Sequence, residues 1–214
     1  MEDATLELIG FDPLEYNDWG EWLPLIDITA PRNEITYSFI TDFPAYGGLG
    51  TADADNFVIP PEDLRQGFRG ALAHYESILD IEFVEVSDSI VEIDDLGIPR
   101  RGGLIRFGSY FNPLDPGFVT GTEPGLLEIN SDVWVNLANG GPPFEAGGGS
   151  FPGVLFGLNR ALGLEFATPP QGLAPHLPVE TNTDQFSLMT DLPREDLVPP
   201  ATLPLYDILS LIHI

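Results

Sequence analysis

One amphipathic run limits what this chain can fold into more than any other feature. Leu64, Phe68, Leu72, Tyr75 and Leu79 fall near one face at helical spacing. Pro60 and Pro61 precede the run, and Glu62 and Asp63 open it. That is a good first turn: proline is tolerated where an N–H has no helical partner, and acids suit the positive end of the helix dipole. Strand-like runs flank it. Ile35-Thr36-Tyr37-Ser38-Phe39-Ile40 is β-branched and aromatic, and Ile81-Glu82-Phe83-Val84-Glu85-Val86 alternates like a half-buried strand. A helix with one apolar stripe between two strands lays that stripe on a sheet.

The rest of the chain extends this pattern. Residues 1–31 read as an arm packed on the domain, with Trp19 and Trp22 close together, and 32–214 as the domain itself. A Gly- and Asp-rich loop runs from Asp42 to Asn56, and an acidic loop from Ser87 to Asp95. Further strands are expected at Gly103–Gly108, Phe118–Thr120 and Leu127–Val135. The Gly/Pro stretch Asn139–Gly153 reads as loop, Val154–Leu164 as a second helix stopped near Gly163, and Leu203–Ile214 as a closing apolar helix. The expected class is α+β, a mixed sheet flanked by helices. The chain ends inside an apolar helix, which reads as a domain cut from a longer polypeptide.

Charge narrows the function classes. Among 214 residues there are 34 acidic and 8 basic ones, a net charge of −26, and every basic residue is arginine. Such a surface repels phosphate, so nucleic acid and anionic membranes are poor partners. Calcium, cationic partners or a salty environment fit better. With 43% hydrophobic residues the composition is that of a folded chain. No apolar run approaches the ~18 residues that a membrane span needs. Cysteine is absent, which excludes disulfides, thiolate nucleophiles and Cys-ligated zinc. The acidic start, Met1-Glu2-Asp3-Ala4, lacks the basic and apolar regions of a secretory signal.

Six segments, in order, carry a resemblance: Ile35–Phe39, Leu104–Gly108, Asp132–Asn136, Ala161–Glu165, Asn182–Met189 and Leu205–Ile208. Together they resemble the catalytic domain of the serralysin-type metzincins, secreted bacterial zinc proteases, from about Ile35 to the end. The resemblance implies a metzincin-like zincin fold. That fold has a twisted, mixed, five-stranded sheet, two long helices, and a smaller irregular C-terminal subdomain ending in a helix. It also implies export without an N-terminal signal, hence an extracellular or cell-surface location, and association with the calcium-binding repeats (RTX) that follow such domains. Gly117–Thr120 resembles the edge strand that pairs with extended substrate in that family.

The active-site motif departs from the family. Aligned with H-E-x-x-H-x-x-G-x-x-H, the chain has Phe156, Arg160 and Phe166 at the three ligand positions and Gly157 at the general-base position. Gly163 remains, and Met189 remains at the Met-turn; Asp191 stands where the family has a tyrosine. A phenyl ring has no lone pair and a guanidinium is always protonated, so neither binds zinc. Without a carboxylate at 157, no base takes a proton from a metal-bound water. The implied state is a dead protease site that needs no zinc. Phe156 and Phe166 would fill the vacated volume, and an Arg160–Asp191 ion pair would span the site over Met189. The alternatives for Arg160 are Glu165 or solvent.

Other chemistries have weaker support. His74 and His213 have no helical i, i+4 partner, and His176, between Gly163 and Met189, is a single histidine and makes no site. Ser150 follows Gly147-Gly148-Gly149 and reads as a loop residue without the G-x-S-x-G context. No phosphate-binding loop is present. Asp53, Asp55, Asp88, Asp94 and Asp95 are candidate calcium ligands, weighed against plain solvated acidic loops, since neither cluster follows the EF-hand pattern. The functional expectation is a catalytically inactive binding or structural module of a larger secreted bacterial protein, with a protein or peptide partner held by edge-strand pairing. One alternative is a pseudoprotease that sequesters or inhibits a partner. Ranked last is a metal-dependent peptidase using unrecognised ligands.

Overall fold

The computed structural model describes residues 34–44, 48, 50–93, 99–122, 131–164, 187–189, 202–205, 207 and 208. The expected arm 1–31, and Asp94, Asp95, Phe166, His176, Asp191 and His213, lie outside them. The described elements are β1 (Glu34–Phe39), β2 (Phe57–Val58), α1 (Glu62–Glu76), β3 (Glu82–Glu85), β4 (Ile90–Ile93), β5 (Pro99–Arg101), β6 (Ile105–Tyr110), β7 (Val119–Gly121), β8 (Asp132–Asn136) and α2 (Phe151–Ala161). Among the described residues, no helix is long and apolar enough to cross a membrane.

The main sheet runs β3-β1-β6-β8-β7. Its first four strands are mutually parallel and β7 is antiparallel to β8. β2 joins it antiparallel to β6, through Phe57–Tyr110 and Val58–Ser109. It takes the far half of the β6 edge, because β1 pairs only with residues 105–107. The architecture is therefore a mixed sheet with two helices. Among the described residues the sheet has six strands where five were expected.

Side chains alternate across each strand, so the sheet has two distinct faces. Tyr37, Phe39, Phe83, Ile105, Phe107, Val133 and Val135 belong to the main core, with Leu64, Phe68, Ala71, Leu72 and Tyr75 of α1 and Val154, Leu155 and Leu158 of α2. Phe68 stacks on Phe107 at 4.1 Å between ring centroids. The expected stripe of α1 is thus its buried face, with Leu79 packed at the margin. Ile40, Tyr110 and Trp134 form a second cluster with Phe43, Ala52 and Phe57. Burial on both faces makes β6 and β8 continuously buried rather than alternating.

Three expected boundaries shift. The acidic loop Ser87–Asp95 contains β4, which pairs antiparallel with β5 in a separate two-stranded sheet. Glu92 sits opposite Arg100 there, a cross-strand register that composition within one loop does not reveal. The loop Asn139–Gly153 ends early, because α2 begins at Phe151 with Pro152 in its first turn. Strand β8 runs from Asp132 to Asn136, and Ser131, inside the expected strand, is in a turn; residues 123–130 lie outside the described set. Of the expected closing helix, Leu205, Asp207 and Ile208 are described and helical.

Candidate functional site

Helix α2 carries the positions that the sequence singles out, and its ends set their geometry. At its C-terminus Gly163 N donates to Arg160 O (2.9 Å) and Leu164 N to Asn159 O (2.9 Å). This is a Schellman closure, and it requires the left-handed backbone that Gly163 adopts at φ +93°. Arg160 is buried, and its Nη1 donates to Leu164 O at 3.0 Å, across the same turn. Burial lowers its pKa from the ordinary guanidinium value. Asp191, the ion-pair partner expected for Arg160, lies outside the described residues, as does Phe166.

The other face of α2 presses on the sheet edge through glycines. A Cβ at Gly157 would stand 2.5 Å from Val133 Cγ1 and 2.7 Å from Val119 Cγ1. One turn earlier, a Cβ at Gly153 would meet the Phe118 ring at 2.4 Å. From the strand side, a Cβ at Gly121 would come within 2.9 Å of both Arg160 Cβ and Gly157 O. A side chain at position 157 would thus be directed into packed sheet and would have to displace Val133 and Val119. Phe156 is half-buried and packs against the main core.

Zinc, the metal that the family resemblance implies, does not fit these residues. Phe156 and Arg160 offer no donor, and Gly157 has neither a carboxylate nor room for one. Among the described residues, no group of three or more His, Cys, Asp or Glu is placed to hold a metal ion.

Below α2 lies a buried polar network. Asp207 is 2% exposed. Its Oδ1 accepts from Ser187 Oγ (2.5 Å), and its Oδ2 from Leu188 N (2.9 Å) and Asn159 Nδ2 (2.8 Å). Asn159 Oδ1 accepts from Tyr75 Oη (2.6 Å), which also contacts Leu155 O (3.1 Å). Met189 N donates to Ser187 Oγ (3.0 Å), and the Met189 side chain is buried in the core. α2, the 187–189 turn and the closing segment therefore meet on one carboxylate, and α1 joins the network through Tyr75 on Asn159. Burial pushes the Asp207 carboxyl up to about 6, against the three hydrogen bonds that pull it down. Sequence reasoning passed over this group. Its one signal was an aspartate inside an otherwise apolar segment.

The acidic candidates are dispersed. Asp53 Oδ1 accepts from the N–H groups of Asp55 and Asn56, closing a turn. Asp88 is elsewhere: its side chain is buried with Arg106 at 3.2 Å and accepts from Thr41 N at 2.9 Å. Asp94 and Asp95 are outside the described residues. Of the other polar candidates, Ser150 Oγ donates to Gly141 O, and His74 Nε2 accepts from Leu203 N at 3.4 Å.

The outer edge of β7, with no strand paired to it among the described residues, is the remaining feature. Phe118 O accepts from Asn136 N and Thr122 N donates to Asp132 O, so even-numbered residues face β8. By antiparallel alternation the peptide groups of Val119 and Gly121 point away from β8, along the outer edge. β7 is the last strand of the sheet among the described residues. No protein-family model matches this chain, and no curated protein matches it.

Proposed function

We propose that this chain is a non-catalytic, serralysin-like module of a larger secreted bacterial protein, and that it holds an extended segment of a partner protein along β7. One observation carries the reading. The helix position where a catalytic carboxylate would stand is glycine, and a Cβ there would come within 2.5 Å of Val133 Cγ1 and 2.7 Å of Val119 Cγ1. The pocket chemistry of a protease has no room at that point, whereas the strand edge beside it offers the backbone groups of Val119 and Gly121. Edge pairing draws its affinity from main-chain hydrogen bonds and needs no metal.

The first test is metal content by plasma mass spectrometry on protein purified without chelator, together with hydrolysis of a mixed peptide substrate library. Zinc far below one per chain and no cleavage are the expected results; zinc near one per chain with cleavage overturns the reading. The binding mode is read from amide hydrogen exchange after titration with peptides selected from a displayed library. Val119 and Gly121 amides slow on binding if the edge is used, and an unchanged β7 refutes edge pairing.

A further inference from the structure

We propose that the fold depends on mobile monovalent cations: the arginines are committed to contacts within the fold, the surface carboxylates are left to salt, and the protein gains stability as ionic strength rises. Such dependence is separate from the non-catalytic reading.

The arginines are used internally. The chain has 8 of them against 34 acids, and no lysine. Arg65, Arg69, Arg106 and Arg160 have described side chains. Arg106 is buried with Asp88 at 3.2 Å. Arg160 is buried and donates to Leu164 O. Arg65 donates Nε to Pro60 O and lays its guanidinium over the Phe39 ring, 5.2 Å from the centroid. Arg69 covers the same ring at 5.1 Å and bonds Glu62 and Glu85.

The carboxylates stay outside. Asp42, Asp53, Asp55, Asp80, Glu82 and Glu145 are exposed. Among the described residues, no arginine is bonded to them. Sheet register adds a directly repulsive contact: parallel pairing of β1 with β3 sets Glu34 beside Glu82. Neighbouring strands lie about 4.8 Å apart, and like charges side by side on a sheet are destabilising.

Folding concentrates this charge. A chain of this length has a radius of gyration of about 17 Å folded and about 50 Å unfolded. The net −26 is therefore packed more tightly in the folded state. The screening length is about 30 Å in 0.01 M salt and about 3 Å in 1 M. In dilute salt each carboxylate feels the others across the molecule; in 1 M salt it feels its immediate neighbours alone. Self-repulsion destabilises the compact state, and salt removes it. The same salt weakens the exposed Arg69–Glu85 pair, a small counterweight. Among the described residues no group of three or more His, Cys, Asp or Glu is placed to hold a metal ion, so the effect is assigned to diffuse ions.

Thermal unfolding of the full chain across NaCl concentrations from about 0.01 to about 1 M tests this. The midpoint is expected to rise by about 10 °C, with KCl equivalent. A chain unfolded in dilute salt that folds as salt is added is the strong form of the same result. A flat or falling midpoint overturns the proposal. Salt also acts on apolar burial, and that contribution is blind to protein charge. A variant combining Glu34→Gln, Asp80→Asn, Glu82→Gln and Glu145→Gln should therefore melt higher than the unaltered protein in dilute salt and alike in 1 M NaCl. An unchanged salt response in this variant assigns the rise to apolar burial and refutes the proposal. CaCl2 at about 1 mM, added to dilute NaCl, should give a small part of the gain; the whole gain would mean a discrete calcium site and refutes diffuse screening.

Discussion

Asn159 Nδ2 donates to Asp207 Oδ2 over 2.8 Å, and this buried bond ties α2 to the closing segment. The same amide accepts from Tyr75 Oη on its other side. One side chain thereby satisfies a phenol and a carboxylate that burial would otherwise leave short of partners.

Asn159→Ala should destabilise the fold by about 2–4 kcal/mol, since it strips a hydrogen bond from a buried carboxylate and another from a phenol. Tyr75→Phe alone should cost about 1–2 kcal/mol. The double variant should cost less than the sum, because the two residues share one bond. Urea unfolding of the three variants measures this; strict additivity would show that the Tyr75–Asn159 contact carries no energy.

Gly157→Ala should destabilise by about 1–3 kcal/mol through overpacking against Val119 and Val133. Gly157→Glu should do worse and should yield no peptidase. Gly70, exposed on α1 with nothing within 4 Å of where a Cβ would stand, is the control. Gly70→Ala should stabilise by about 0.5–1 kcal/mol, as expected for glycine in a helix interior. Thermal melting compares the two; a neutral Gly157→Ala contradicts the packed seam.

Asp88→Ala should cost about 3–5 kcal/mol, because it leaves Arg106 charged in a site where both side chains are almost fully buried. Replacing both residues by apolar ones of similar volume should recover much of that loss. Denaturant unfolding is again the readout, and a loss below about 1 kcal/mol for the single variant would place the pair in effective contact with water.

Arg69 grips Glu85 through Nε (2.8 Å) and Nη2 (3.0 Å) and reaches Glu62 through Nη1 (2.9 Å). The Arg69 hydrogen bonds hold the Glu85 carboxyl below its ordinary 4.5. A depressed carboxyl contributes stability that is present above the ordinary value and lost as pH falls below it. The Arg69→Ala, Glu85→Ala cycle should give a coupling of about 0.2–1 kcal/mol at pH 7, since Glu85 is 40% exposed and screened. That coupling should shrink in high salt and fall away as pH drops below the ordinary 4.5 and the carboxyl protonates. Full persistence in high salt would mean that packing, not charge, joins the two residues.

Much of the fold was legible because its signals are local. The apolar stripe of α1 and the alternation of β1 and β3 depend on residues a few positions apart, whose backbone geometry repeats at a fixed period. Phe156, Gly157, Arg160 and Gly163 lie on one helix and its closing turn, so their neighbourhood could be read from the sequence. Their directions could not. Gly157 points into the sheet because Val119 and Val133, distant in sequence, pack on that side of α2.

By itself, then, the sequence determined the residue chemistry: an acidic, lysine-free, cysteine-free chain, its α1 stripe, and a motif without zinc donors at Phe156 and Arg160. The tertiary structure alone decided that Ser87–Asp95 contributes a hairpin strand, that Asp88 pairs with Arg106, and that Asp207 becomes the shared acceptor of α2 and the 187–189 turn. The reason is physical. Hydrogen-bond partners and desolvation are set by groups 18 to 48 positions apart in these pairs, and only the folded chain brings them within reach.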